Sequence, residues 1–195
     1  MLTTPLTIIS DTRQKRGHHK AKEQYFAANG IQVIHSKLFC GDYQLLNDGT
    51  RVVDTKQNLQ EVVSNLTSTK KVKTKDGKIK KLSEHERFRA EADKCVTYGI
   101  ELVVLIEEPG IHSLEDVKRW ENPRLHRYNK IKYMHSIGKW KTVPEPKGKP
   151  PTDNITLMKI MYTMQVKHGV RWEFCNPKDA GRRVIEILTE GKEVT

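Results

Sequence analysis

The chain has 195 residues, of which 36% are hydrophobic and 30% charged. This composition suits one folded domain with a core, and no apolar run approaches the roughly 18–20 residues that a membrane helix needs. Its 35 Lys and Arg exceed its 24 Asp and Glu, giving a net charge of +11 that favours a polyanionic partner, nucleic acid first. The first residues lack a signal-peptide pattern, so we expect a cytoplasmic protein.

The first third of the chain alternates short apolar segments with polar turns. Apolar and β-branched patterns predict strands over 6–11, 31–38, 42–46 and 51–56, the last two joined by an Asn-Asp-Gly turn. Helical spacing of apolar residues predicts helices over 21–30, with Gly30 as the stop, and over 58–66.

A lysine-rich segment follows at 67–82, with seven lysines and one acid, and it is interpreted as a loop or hairpin outside the core. A helix is predicted over 83–99, opened by Ser83 as a cap. The segment 100–108 is the most apolar strand, which we place at the centre of the sheet.

Residues 109–152 contain five prolines from Pro123 onward and many basic residues, and we expect them to be irregular apart from a helical turn or two at 113–120. Trp120 is expected to anchor this segment to the core. Regular patterns return as a helix, a strand and a helix at 154–169, 170–175 and 177–188. The order of elements predicts one α/β domain with a mixed sheet flanked by helices.

The three cysteines, Cys40, Cys95 and Cys175, are far apart in the chain and form no CxxC pair. An odd count with such spacing argues against a disulfide framework and a structural zinc site. We therefore expect ordinary thiols.

Two acidic residues and a lysine lie on the predicted hairpin of residues 42–56. Asp42 opens one strand, Asp54 lies near the end of its partner, and Lys56 follows two residues later, on the same face of a regular strand. Mg²⁺ prefers carboxylate oxygens, and a lysine beside it can stabilise charge that develops at phosphorus. Alone, however, an Asp-x-Lys pattern also fits a solvated strand end with a surface ion pair.

The stretch "GDYQLLNDGTRVVDTKQNLQEVVSNL" resembles the signature of the XPF-type nucleases, within the PD-(D/E)xK superfamily. Asp54 and Thr55 stand where that family usually has Glu and Arg. Upstream, "ISDTRQK" resembles the family's V-D-x-R-E, with Asp11 and Arg13 matching and Gln14 in place of Glu.

Further matches extend the resemblance over about residues 6–107 and 152–190. Downstream of the hairpin, Arg87 matches an arginine of the family, whereas Glu91 replaces its glutamine. The stretch "SLEDVKRWENPR" is similar to one in the small stand-alone members found in bacteriophages and prophages. The tandem helix-hairpin-helix domain of other members is not among these 195 residues.

The resemblance implies a restriction-endonuclease-like fold and a Mg²⁺- or Mn²⁺-dependent endonuclease that cleaves branched or junction DNA through a metal-activated water, in DNA repair or recombination. It also implies four catalytic residues, Asp11, Asp42, Asp54 and Lys56, with the three aspartates as metal ligands. The alternatives are a non-catalytic DNA-binding or scaffold subunit on the same fold, and an RNA-binding protein with a coincidental Asp-x-Lys.

Candidate DNA contacts form three groups. Arg13 and Arg87 could each clamp a phosphate, or pair with Asp11 and Glu91 to hold the site together. The two basic tracts, 67–82 and 118–149, fit either solvated loops or backbone contacts, and the second has ten Lys or Arg against two acids, with interleaved aromatics. The residues selected from these tracts are Lys70, Lys71, Lys73, Lys130, Lys132, Lys139, Lys141 and Trp140.

A homodimer through the C-terminal helices is a further expectation from the resemblance. The apolar face of residues 180–188 fits such a contact, and it equally fits packing within one chain.

Overall fold

Eight strands and six α-helices make up the part of the chain that the structure, a computed structural model, describes: residues 5–14, 20–73, 76–77, 79–140 and 142–192. The strands are β1 (Thr7–Asp11), β2 (Gln32–Ser36), β3 (Tyr43–Leu45), β4 (Asp48–Lys56), β5 (Thr69–Lys73), β6 (Ile79–Ser83), β7 (Glu101–Ile106) and β8 (Arg171–Phe174). The helices are α1 (Lys20–Ala28), α2 (Leu59–Thr67), α3 (Glu84–Thr97), α4 (Pro123–Ser136), α5 (Asn154–His168) and α6 (Ala180–Thr189).

The main sheet has six strands in the order β2–β1–β3–β4–β7–β8. β3 runs antiparallel to both of its neighbours, β1 and β4, whereas the other adjacent pairs are parallel. The predicted fold class, a mixed sheet flanked by helices, is confirmed.

Each face of the sheet is covered by its own layer of helices. Leu102, Val104 and Ile106 of β7 belong to one apolar core with α2, α3 and α5. Val103 and Leu105, the alternate residues, belong to a second core with α1 and α6. Alternation along the strand thus divides the side chains of β7 between two cores, which explains its continuous apolar sequence.

The expectation that the most apolar strand lies at the centre of the sheet is wrong. β7 is next to the edge strand β8, and the middle of the sheet is formed by β3 and β4. Helices on both faces bury β7 as fully as they would bury a central strand. Its apolar sequence therefore reflects burial on both faces and does not indicate its position in the strand order.

The apolar face of α6 packs inside the chain. Ala180, Val184 and Leu188 are fully buried, and a Cβ added at Gly181 would come within 2.6 Å of the Tyr25 side chain on α1. This face therefore serves intramolecular packing, the second of the two readings that the sequence allowed.

The lysine-rich segment forms a hairpin apart from the main sheet. β5 and β6 pair antiparallel, with Lys70 opposite Leu82 and Lys71 opposite Lys81. The hairpin ends at Ser83, whose side chain accepts a hydrogen bond from the Glu86 amide and caps α3. The segment is thus a hairpin, one of the two forms that the sequence left open.

Residues 109–152 are more regular than predicted, because they include the 14-residue helix α4. α4 has no fully buried residue, and its half-buried Leu125, Tyr128, Ile131 and Met134, spaced three residues apart, form only a narrow apolar stripe among basic residues. Its start is nevertheless encoded, since the side chain of Asn122 accepts a hydrogen bond from the Arg124 amide and Pro123 occupies the first turn. Trp120 is only 8% exposed and packs in the core, as predicted.

Residues 123–151, here called the arm, form a segment outside the core whose two ends lie close together. Asn122 is buried, and its amide nitrogen donates to the Thr152 carbonyl at 2.7 Å, which joins the two ends. Within the arm, Tyr128 donates to the Gly148 carbonyl at 3.1 Å, and Lys132 pairs with Glu145 at 2.8 Å. The chain that returns from α4 thus packs along that helix.

All three cysteines are free and buried. The Sγ atoms of Cys40 and of Cys95, a buried residue of α3, lie 2.7 Å apart in the core. Their distance in the sequence gives no indication of this contact.

Over the described residues, every helix is too short or too polar to cross a membrane.

Candidate active site

The β3–β4 hairpin brings Asp42 to the end of β4. The Asp42 amide donates to the Val53 carbonyl at 2.8 Å. Its Oδ2 atom accepts hydrogen bonds from the Thr55 amide at 2.8 Å and the Thr55 hydroxyl at 2.7 Å. Thr55, noted above only as a departure from the family pattern, therefore fixes the orientation of the first carboxylate.

Asp54 and Lys56 lie on the same face of β4, as alternation predicts, and their side chains form an ion pair of 2.6 Å. Burial raises the pKa of Asp54 to about 6, and the Asp42 carboxylate adds to this rise while the Lys56 ammonium opposes it. Burial by itself would lower the pKa of Lys56, but attraction to Asp54 holds that pKa above its ordinary value. The lysine therefore remains charged at neutral pH.

Asp11, at the end of β1, organises the adjoining backbone. Its Oδ1 accepts from the Arg13 amide at 2.6 Å and Nε at 2.9 Å, and its Oδ2 from Arg13 Nη2 at 2.7 Å and the Leu38 amide at 2.8 Å. Burial favours a higher pKa for Asp11, but these hydrogen bonds hold it below the ordinary value. The site also includes Gln14, whose side-chain nitrogen donates to the Asp42 carbonyl at 3.2 Å.

Helix α3 forms the opposite wall. Arg87 contacts Glu84 at 3.2 Å and Glu91 at 3.3 Å, and it keeps almost half of its side chain exposed. Glu84 is buried and also pairs with Lys70 of the β5–β6 hairpin at 3.1 Å. The hairpin is thereby tied to the wall that Arg87 occupies.

One cleft of about 560 Å³ unites these side chains. Its walls come from the ends of β1 and β4, from the segment before β3 and from one face of α3. The residues that line it are Asp11, Arg13, Gln14, Phe39, Gly41, Asp42, Asp54, Lys56, Arg87, Phe88, Ala90, Glu91 and Lys94. The structure thus brings together all four predicted catalytic residues and both predicted phosphate-binding arginines. Their catalytic roles remain predictions.

The carboxylates of Asp42 and Asp54 fit a divalent cation that takes few protein ligands. Mg²⁺ is commonly held by one or two carboxylates together with water and phosphate oxygens. Among the described residues, no three His, Cys, Asp or Glu side chains converge as a larger ligand set. Asp11, whose two oxygens both accept hydrogen bonds, is the weakest of the three predicted metal ligands.

Both arginines of the cleft form ion pairs with neighbouring carboxylates, one of the two roles that the sequence left open for them. Arg13 binds Asp11 through two nitrogens, and Arg87 binds Glu84 as well as Glu91. Glu84 was missed, although it lies three residues before Arg87, one turn of α3 away.

The other predicted DNA contacts lie outside the cleft. Lys70 and Lys71 are on β5, and Lys73 ends that strand but its side chain is not described. In the arm, Lys130 lies over the Trp140 ring, 5.8 Å from its centroid, Lys132 pairs with Glu145, and Lys139 is exposed. Lys141 falls outside the described residues.

Gly41 sets the approach of Asp42 to β4. Its φ is +67°, and an added Cβ would come within 3.2 Å of both the Val52 Cβ and the Val53 carbonyl. We expect Gly41→Ala to lower the free energy of unfolding by about 2–4 kcal/mol, the sum of about 1 for the left-handed backbone and about 1–3 for overpacking. Urea denaturation measures the difference.

Gly30→Ala is the matched control, because Gly30 has the same φ of +67° and no atom within 4 Å of an added Cβ. It should lower the free energy of unfolding by only about 1 kcal/mol. Equal losses in the two variants would show that the contact with β4 contributes nothing.

Comparison with known proteins supports the fold. A solved structure of XPF from Aeropyrum pernix in complex with DNA matches 94% of this chain and 63% of its own, at 16% sequence identity and a TM-score of 0.51. A second solved structure, of XPF from Aeropyrum pernix, matches the same shares of the two chains, at 17% identity and a TM-score of 0.52. The chain thus has the XPF fold and spans less than two thirds of those structures. No family model and no curated protein sequence matches it.

Proposed function

We propose that this chain is a divalent-metal-dependent endonuclease that acts on DNA with branches or single-strand to double-strand junctions. The proposal is carried by one observation: a single cleft of an XPF-like fold holds Asp42, Asp54 and Lys56 together at the end of β4. The match to a DNA-bound XPF structure gives it further support.

The residues of the cleft divide the chemistry between them. A bound Mg²⁺ or Mn²⁺ would neutralise the phosphodiester and lower the pKa of a water molecule. Asp42 and Asp54 would hold that ion, with Asp42 oriented by Thr55. Lys56, charged and largely buried, would stabilise the negative charge that develops at phosphorus.

Basic side chains around the cleft would hold the DNA backbone. Arg13 and Arg87 expose about half of each side chain while a carboxylate partner fixes the guanidinium group. Such fixed guanidinium groups suit phosphate oxygens. The β5–β6 hairpin extends the basic surface from Arg87 through Lys70.

The direct test is cleavage of end-labelled DNAs with and without Mg²⁺. The panel should contain a duplex, a single strand, a fork, a flap and a four-way junction, together with a single-stranded RNA, and binding to each should be measured beside cleavage. Metal-dependent cutting of branched DNA in preference to the duplex supports the proposal. Binding without cleavage of any DNA would instead identify a non-catalytic DNA-binding subunit, and binding confined to RNA would identify an RNA-binding protein.

The arm is proposed as a second contact with the DNA backbone. We expect replacement of Lys130, Lys132, Lys139 and Lys141 by alanine to weaken DNA binding and to flatten its dependence on salt. Each lost phosphate contact should lower the slope of log K against log salt by about 0.9 on duplex and about 0.7 on single strands. Fluorescence anisotropy at several salt concentrations measures this slope.

A matched control removes the same charge elsewhere. Lys20, Lys37, Lys178 and Arg182 are exposed and lie outside the arm, the cleft and α5. Their replacement by alanine should change the slope by less than one phosphate contact. If both quadruple variants behave alike, the effect is one of net charge and the arm has no specific role.

Homodimerisation through the C-terminal helices remains part of the proposal, with α5 in place of α6 as the proposed contact. The apolar face of α6 is buried, whereas Ile155, Tyr162 and Val166 of α5 are exposed. We therefore assign the dimer contact to α5, and sedimentation of the intact protein tests whether a dimer forms.

A further inference from the structure

Phe39 is an exposed aromatic residue on a fixed segment of backbone beside the cleft. Its side chain is 55% exposed, whereas the flanking Leu38 and Cys40 are 6% and 0% exposed. The Leu38 amide donates to Asp11 at 2.8 Å, and the Leu38 carbonyl accepts from Arg13 at 3.1 Å. The ring therefore projects from a segment anchored on both sides.

A second exposed ring lies against it. Tyr98, at the end of α3, is 69% exposed, and its ring centroid is 5.0 Å from that of Phe39 at an interplanar angle of 77°. An edge-to-face pair of this kind leaves ring faces uncovered by the partner. Neither residue belongs to either core of the described structure, so core packing does not account for them.

The two rings border a groove that adjoins the cleft at Phe39. The groove has a volume of about 540 Å³, and Phe39 lines both it and the cleft. Its lining residues carry no charge: Phe39, Gly49, Thr50, Tyr98, Gly99 and Ile100. The cleft beside it is lined by four cationic side chains, Arg13, Lys56, Arg87 and Lys94, and by four carboxylates, Asp11, Asp42, Asp54 and Glu91.

This pairing of surfaces matches the two parts of a nucleotide. Phosphate would be bound by the arginines and lysines of the cleft and by a divalent cation held on its carboxylates, and a base has a planar apolar face that stacks on exposed aromatic rings. A base within a duplex is already stacked and paired, so only an unpaired base can enter the groove. A protein partner with an apolar surface would not account for the phosphate-binding side chains of the cleft that Phe39 also lines.

We propose that the groove formed by Phe39 and Tyr98 binds an unpaired base of the strand whose phosphate occupies the cleft. The inference rests on the proposed function for the presence of DNA in the cleft. It adds the feature of the substrate that the site selects: an unpaired nucleotide next to the bound phosphate.

Binding measurements test the inference without cleavage. The background is Asp54→Asn, and the ligands are a fork that carries 2-aminopurine in its single-stranded part and a duplex of the same length. Phe39→Leu and Tyr98→Leu should each raise the Kd for the fork by about 5- to 100-fold, the effect of one lost stacked base. The Kd for the duplex should change less than about twofold, and quenching of 2-aminopurine on binding should decrease.

Variants that retain a ring serve as matched controls. Phe39→Tyr and Tyr98→Phe should keep both fork affinity and quenching, which separates stacking from a change in fold. Equal losses for fork and duplex, or none for either, would overturn the inference. A change in sedimenting mass in the leucine variants would also overturn it, because the rings would then form a contact between protein copies.

The outcome is distinct from that of the proposed function. If no DNA is cleaved but fork binding depends on the two rings, the inference stands and the nuclease proposal fails. If branched DNA is cleaved and the leucine variants bind as the parent does, the nuclease proposal stands and the inference about the groove fails.

Discussion

Asp54→Asn is expected to lower Mg²⁺-dependent DNA cleavage by at least about a hundredfold. The change removes the charge that would hold the cation and that pairs with Lys56 at 2.6 Å. Loss of one preorganised electrostatic contact to a transition state costs about 10²–10³ in rate. Lys56→Ala should have a similar effect because it removes the cation expected to face the phosphate. Initial rates on the preferred branched DNA at saturating Mg²⁺ measure both.

The affinity for DNA should survive these changes within about threefold, since one carboxylate or one lysine is a small part of a backbone interface. Asp42→Asn should behave like Asp54→Asn. Asp93→Asn, which removes an exposed carboxylate of α3 that does not line the cleft, is the control and should cleave normally. Cleavage by Asp54→Asn at the rate of the unmodified protein would refute the assignment of the active site.

Lys22→Met is expected to lower the free energy of unfolding by about 3–5 kcal/mol. Lys22 of α1 is 2% exposed, and its ammonium group pairs with Glu107, the residue that follows β7. Removing the lysine leaves a buried carboxylate without its cation, which costs far more than a surface pair contributes. Because domains are stable by only about 5–15 kcal/mol, urea unfolding should show a large decrease in the midpoint.

Two variants complete this experiment. Lys22→Met combined with Glu107→Met replaces the whole pair by apolar side chains and should recover much of the loss. Arg182→Ala breaks the exposed pair with Glu186 and should cost less than about 1 kcal/mol. A Lys22→Met midpoint equal to that of Arg182→Ala would mean that the buried pair contributes no more than a surface one.

Local periodicity was enough to predict most of the secondary structure and the geometry of Asp54 and Lys56. Alternation along a strand is set by backbone geometry, so two residues of spacing place both side chains on one face. The Asn-Asp-Gly stretch at 47–49 predicted a hairpin, and with it the approach of Asp42 to β4. The hairpin is present, but its turn lies at Leu46–Asn47 and β4 already begins at Asp48, with no positive φ at residues 46–49.

Contacts between distant segments were beyond the reach of such patterns. Lys22 and Glu107 are 85 residues apart, and Cys40 and Cys95 are 55 apart. Their pairing depends on which helix covers which face of the sheet, and no local rule encodes that choice. The position of β7 in the sheet was misjudged for the same reason. α4 was missed because its apolar residues, spaced three apart from Leu125 to Met134, form a narrow stripe that is only half-buried and lies among basic residues.

The hydrogen bond between Asn122 and Thr152 has a consequence for how this protein can change over evolution. The two residues are 30 positions apart and close the arm at its base. Each doubling of a closed loop costs only about 0.6 kcal/mol in chain entropy. Insertions and deletions beyond this closure point would therefore be nearly neutral for folding. The same point is a suitable graft site, where a foreign module with neighbouring termini could be spliced in while the sheet and its cleft are retained.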